Sequence, residues 1–198
     1  MPREVLTPGP DAVGGTGSPA DGTGARGQDA ERSDTPFAGF FGKLPASGDF
    51  LTRGLSAAFR KAWDGWVTRH LAPLRDAAWP PGGLRFRLVS GGRVAAGVVV
   101  PSQDAAGRRF PISLILIAPA LPPPPALDGW CDAALAAAGP ALAGAAGPDD
   151  LWAALEDLAV PGGSGGGGGG MILWRSGDAP QPCVPGAEDE ALGTIFRA

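Results

Sequence analysis

The chain is too poor in cysteine and histidine to build a structural zinc site. Cys131 and Cys183 are its two cysteines, His70 is its single histidine, and no CxxC pair occurs. Closed tetrahedral zinc sites take four such ligands. The cysteines leave room for one disulfide or for two reduced thiols, and a cytosolic setting favours the thiols. Basic charge is also short. Sixteen Lys and Arg stand against 20 Asp and Glu, a formal net charge of -4, which is not the balance of a nucleic-acid binder. Long apolar runs are missing too. The longest candidate, Ile112 to Leu121, is broken by Ser113 and Pro119, well below the roughly 20 residues that span a bilayer. The first residues lack the basic-then-apolar order of a secretory signal. The chain therefore reads as a soluble, intracellular protein, expected in the cytoplasm.

Glycine (33) and proline (22) are abundant among the 198 residues. Without a period, such a bias usually marks low complexity. Here it is concentrated in a few segments. Residues 1–36 carry almost no large apolar side chains, cannot offset chain entropy by burial, and read as a disordered arm. Residues 37–198 read as a single domain with a flexible glycine-rich loop at 162–170.

Within that domain the apolar pattern alternates between strand and helix. Phe37 to Leu44 reads as a strand and Pro45 to Asp49 as a loop. Ser56 is placed to cap a helix on which Phe59, Trp63, Trp66 and His70 share a face, ending near Pro73. Leu84, Phe86 and Leu88 alternate with Arg85 and Arg87, the pattern of a half-buried strand. Gly91-Gly92 marks a hairpin into Val94–Val100. Phe110–Ala118 is almost continuously apolar, as in a strand buried on both faces, with Pro111 at its start. The prolines at 122–125 form a stiff connector. Helices follow over about 127–138 and 149–158, then a strand at Met171–Trp174 and a turn-rich end. These elements predict an α/β class: a layered α/β/α domain whose mixed, partly antiparallel sheet is flanked by helices.

The usual catalytic patterns are incomplete. Gly42-Lys43 and Gly48 lie in the wrong order for a GxxxxGK[ST] phosphate loop. Ser47, Ser102 and Ser113 are available nucleophiles, with Asp49 and Asp104 as partners, but there is no G-x-S-x-G elbow. The only histidine lies on an apolar helical face, where a hydrogen-bonded core role is expected. A small serine hydrolase using Ser47 or Ser102 remains the alternative reading. No HExxH or EF-hand pattern is present, and Glu188-Asp189-Glu190 reads as a solvated surface turn. No cofactor is implied.

Two loops are dense in special residues. In Lys43-Leu44-Pro45-Ala46-Ser47-Gly48-Asp49, Pro45 fixes φ, Gly48 permits positive φ, and Asp49 can bond nearby amides. In Pro101-Ser102-Gln103-Asp104-Ala105-Ala106-Gly107-Arg108-Arg109, Ser102 and Asp104 can bond turn amides, and Arg108 is a fixed cation. A hairpin turn with an internal Asp–Arg pair accounts for most of this pattern. An interaction surface in which Arg108 meets an anion is the sharper version.

Taken together, Phe41-Gly42-Lys43-Leu44-Pro45, Gly48-Asp49-Phe50, Trp63-Asp64-x-Trp66 and Pro101-Ser102-x-Asp104-x-x-Gly107-Arg108-x-Phe110-Pro111 resemble the TagF/ImpM family of type VI secretion-associated proteins. The resemblance runs from Phe37 to the chain end and is strongest up to Ala118. The sequence departs from the family pattern in the short Trp79–Gly83 segment, the polyglycine insertion and the N-terminal arm. The resemblance implies an α/β domain in a non-enzymatic cytoplasmic accessory protein. Such a protein would restrain assembly or firing of the apparatus after translation, by binding a forkhead-associated scaffold protein or another component. A structural component of the apparatus is a further alternative. On this reading the partner-binding or motif loops are those of Lys43, Ser47 and Asp49 and of Ser102, Asp104 and Arg108. Lys43 and Arg108 would supply cationic donors, and Asp49 and Asp104 would order the loops.

Overall fold

Strand alternation divides the apolar residues between two cores. In Ile112–Ala118 (β5), every residue is buried. Ile112, Leu114, Leu116 and Ala118 enter one core, and Ile115 and Ile117 the other. The neighbouring strand Arg93–Val100 (β4) does the same, sending Val94, Ala96 and Val98 one way and Ala95 and Val99 the other. A sheet apolar on both faces has to be covered on both. The computed structural model describes residues 35–74, 77, 79–90, 92–163 and 169–197. The expected arm and the middle of the glycine-rich loop lie outside these, apart from Thr35 and Pro36 at the arm's end.

The remaining strands are Phe37–Gly42 (β1), Leu51–Arg53 (β2), Leu84–Ser90 (β3), Met171–Trp174 (β6) and Gln181–Cys183 (β7). The helices are Ala57–His70 (α1), Asp128–Leu142 (α2), Pro148–Glu156 (α3) and Glu188–Arg197 (α4). The sheet has seven strands in the order β2-β1-β5-β4-β3-β6-β7, and each neighbouring pair is antiparallel. Trp130, Cys131 and Ala134 of α2 and Leu151 and Leu155 of α3 close one face. Phe59, Trp63 and Val67 of α1 and Ala191, Leu192 and Ile195 of α4 close the other. The layered α/β/α architecture is the expected one, with antiparallel pairing extended across the whole sheet. Both edge strands are three residues long, and β7 carries Pro182 at its centre. No helix among the described residues is long and apolar enough to cross a membrane.

Local signals explain most boundaries. Ser56 caps α1, its Oγ accepting from Phe59 N at 3.2 Å. Trp63 Nε1 then donates to the buried Ser113 Oγ at 2.9 Å, fixing α1 to the centre of the sheet. Pro73 lies in the short 3-10 turn Ala72–Leu74 that follows α1. Helix α2 continues through Pro140 to Leu142; Gly139, lacking a Cβ, removes part of the usual clash before a proline ring.

Two expectations are corrected. The alternation in β3 suggested outward arginines, but Arg85 is fully buried and Arg87 is 3% exposed. Helix α2 covers that face and supplies carboxylates. Arg85 Nη1 lies 2.5 Å from Asp128 Oδ1, and its Nη2 donates to Asp132. Asp128 also accepts from Trp174 Nε1 at 2.8 Å. Arg87 Nη2 reaches the Leu121 carbonyl at 3.3 Å. The second correction concerns Glu188-Asp189-Glu190, which lie at the surface as expected, Asp189 being 92% exposed, but form the first turn of α4. Carboxylates are favoured there by the helix dipole.

Cys131 and Cys183 are free thiols in separate cores on opposite faces of the sheet. Burial pushes Cys131 up to about 12 and Cys183 up to about 11. Because the thiolate is the reactive form, the folded protein is expected to resist a water-soluble disulfide reagent at about pH 8. Both thiols should titrate on denaturation; rapid labelling of the native protein would contradict this placement.

Candidate functional site

Antiparallel pairing of β1 with β5 sets Phe41 opposite Ser113. The exit of β1 and the entry of β5 therefore lie at one end of the sheet. The loop from Lys43 to Phe50 leaves β1, and the loop from Pro101 to Pro111 enters β5, so the two motif loops are neighbours. Gly42 has φ of 147°, and a Cβ there would run into the Pro111 carbonyl and Ile112. The glycine of one motif is thus required by the close approach of the other motif's backbone.

Asp104 joins the loops. Its side chain is wholly buried. Oδ2 accepts from Lys43 Nζ at 2.8 Å and from Arg108 Nε at 2.7 Å. Oδ1 accepts from the amides of Ala106 (3.0 Å) and Arg108 (2.9 Å). The Lys43 ammonium above all, and then Arg108 through its amide and guanidinium, hold this carboxyl far below the usual carboxylate range against the opposing effect of burial. Gly107 closes the turn at φ 76°, its amide donating to the Asp104 carbonyl at 2.9 Å.

Three more bonds cross between the loops. Ser102 Oγ donates to the Lys43 carbonyl at 2.7 Å. Ala105 N donates to the Ser47 carbonyl at 2.8 Å. Arg108 Nη2 donates to the Gly48 carbonyl at 2.5 Å. Asp49 works locally, its Oδ1 accepting from Phe50 N at 2.7 Å, while Ser47 Oγ accepts from Asp49 N at 3.4 Å. Phe50, 47% exposed, rests on Phe41 with ring centres 6.0 Å apart and meets Phe110 edge-on at 4.7 Å. Lys43 Nζ lies 5.0 Å from its ring centre. An open cleft of about 450 Å³ adjoins these loops, lined by Pro45, Val100, Pro101, Ser102, Gln103, Arg109 and Leu142.

All six sequence-derived positions thus fall in one bonded assembly, but their roles divide. Lys43, with a side chain 9% exposed, directs its charge inward to Asp104. Arg108, 63% exposed, keeps a solvent-facing surface. His70 is elsewhere: its Nδ1 is 3.2 Å from Asp189 Oδ1, and its ring centre is 5.5 Å from that of Trp66. Neither Ser47 nor Ser102 is brought to it, and Ser113 is taken by Trp63. Sequence reasoning missed the exposure of Phe50. A large apolar residue directly after a Gly-Asp turn was the available signal.

The model of the TagF N-terminal domain, type VI secretion system-associated, matches residues 39–158, which include both loops and Asp104. The crystal structure of PA0076 from Pseudomonas aeruginosa PAO1 is similar, with 31% sequence identity and a TM-score of 0.53. The similarity covers 63% of this chain and 64% of that one, somewhat less than two thirds of the neighbour's length. No curated protein matches the chain.

Proposed function

Since this chain belongs to the TagF family of type VI secretion system-associated proteins, we propose that it is a non-catalytic cytoplasmic regulator that restrains assembly or firing of the apparatus by binding another of its proteins. The reading favours the forkhead-associated scaffold protein as that partner. The observation that carries it is the single carboxylate, Asp104, on which both motif loops are fastened. Such a network fixes loop shape before a partner arrives, and preorganised loops bind without a large ordering cost. The serine hydrolase alternative has less support, because Ser102 donates to a backbone carbonyl and His70 is bonded to α4.

Co-purification with the forkhead-associated protein encoded nearby, combined with deletion of this gene, tests the proposal. The expected result is a stable complex, and a rise in secretion through the apparatus when the gene is lost. Failure to co-purify, together with unchanged secretion, would overturn it. Stoichiometric retention in the assembled apparatus would instead favour a structural role.

A further inference from the structure

Phe50 and Arg108 belong to different motifs yet are linked in space. From the Phe50 ring centre to Lys43 Nζ is 5.0 Å, from there to Asp104 Oδ2 is 2.8 Å, and from that carboxylate to Arg108 Nε is 2.7 Å. We propose that Phe50 and Arg108 form one composite anchor for a partner segment that carries a carboxylate beside an apolar side chain. This assignment rests on the reading of the motif loops as a partner-binding face.

Phe50 supplies the apolar half. Among the described residues it is the only aromatic in the set of exposed large apolar side chains; the others are valines at 89, 160 and 184. Its ring is nonetheless fixed by Phe41, Phe110 and Lys43. Covering a rigid aromatic removes apolar surface from water with little loss of side-chain freedom.

Arg108 supplies the polar half. A guanidinium has five N–H donors in a planar fork. Bonds to Asp104 and to the Gly48 carbonyl use two of them and set the plane, leaving three for an anion. Charge complementarity points the same way. The chain as a whole is acidic, at -4, but Arg108 presents to solvent a guanidinium that is 63% exposed, in the loop that meets the Phe50 loop. A phosphate dianion is matched by several converging cations. Here Lys43 is neutralised by Asp104 and Asp49 is exposed beside Phe50, so a singly charged carboxylate is the better complement.

The test uses the full chain, short overlapping peptides covering the secretion proteins encoded with it, and the same proteins intact. Wild type should retain peptides and proteins that share an Asp or Glu next to Leu, Ile, Val or Phe, and changing that acid to its amide should release them. Phe50→Ala and Arg108→Gln should each weaken binding by about 10-fold or more, as for central aromatic and arginine anchors. Ala106→Glu should do the same, because at an exposed position beside Arg108 it sets a carboxylate that competes for the guanidinium and repels the partner's acid, while leaving the Asp104 bonds in place. Cooperative melting transitions confirm that the variants fold. If partners bind all three variants as well as wild type, the anchor is wrong and the binding function stands. If only phosphorylated peptides bind, the carboxylate assignment is overturned. If wild type binds neither peptides nor intact proteins, the regulatory reading fails with it.

Discussion

Replacing Asp104 with alanine is expected to lower the melting temperature by an amount on the order of 10 °C, as when one partner of a buried ion pair is removed from a chain of this size. The variant leaves the Lys43 ammonium buried with no anion beside it. It also releases the Arg108 guanidinium and the amides of Ala106 and Arg108. Lys43→Met should cost less, because Arg108 and both amides still satisfy the carboxylate. Thermal melts of the two variants test this order; equal stability would show that Asp104 does not organise the loops. The pH dependence has a definite sign. The folded-state pKa of Asp104 is depressed, so its contribution is complete above the unfolded carboxylate value of about 3.9. It is lost as pH falls below that value toward the folded one. Wild type should therefore lose stability more steeply below about pH 4 than Asp104→Ala does.

Replacing Arg85 with alanine should destabilise the protein by about 3–5 kcal/mol. Arg85 is fully buried between β3 and α2, so the change both empties a large volume and removes the cation between two aspartates. Arg85→Met refills the space but not the charge. Asp132 is 61% exposed and can be hydrated, and Asp128 keeps its bond from Trp174. The methionine variant is accordingly expected to recover about half or more of the loss, since much of the cost of truncating a buried arginine is packing. Urea denaturation of both variants decides the matter. Equal losses would mean that the uncompensated carboxylates dominate.

How far the sequence could be read follows from how local each cause is. Ser56 as a cap, Val94–Val100 as a strand and Ile112–Ala118 as a buried one are set by neighbours within a few residues. Arg85 and Arg87 were misleading because alternation records polarity, not what lies opposite. The carboxylate that meets Arg85 Nη2 is 47 positions away, on α2. A similar limit applied to the motif loops. Lys43, Asp104 and Arg108 stood out by their setting, yet the inward turn of Lys43 depends on a contact spanning 61 positions, fixed by the register of β1 on β5. Helix α4 escaped notice because its surroundings are rich in turn residues. It is stabilised by packing Ala191, Leu192 and Ile195 onto the sheet, and tertiary burial of this kind supplies most helix stability in proteins.

The two short edge strands bear on how this protein meets others. A partner that docks by strand addition needs a free run of main-chain donors and acceptors along a sheet edge. At β7 the central residue is Pro182, which has no amide to offer. At β2 the run is three residues long, Arg53 Nη1 already bonds the Thr52 carbonyl at 2.9 Å, and Arg53 Nε is tied to Asp149 of α3 at 2.7 Å. Both edges are thereby blunted as templates on which another chain, or a second copy of this one, would extend the sheet. On the proposed function, recognition would fall to side chains and loop backbone at the end of the sheet where the two motif loops meet.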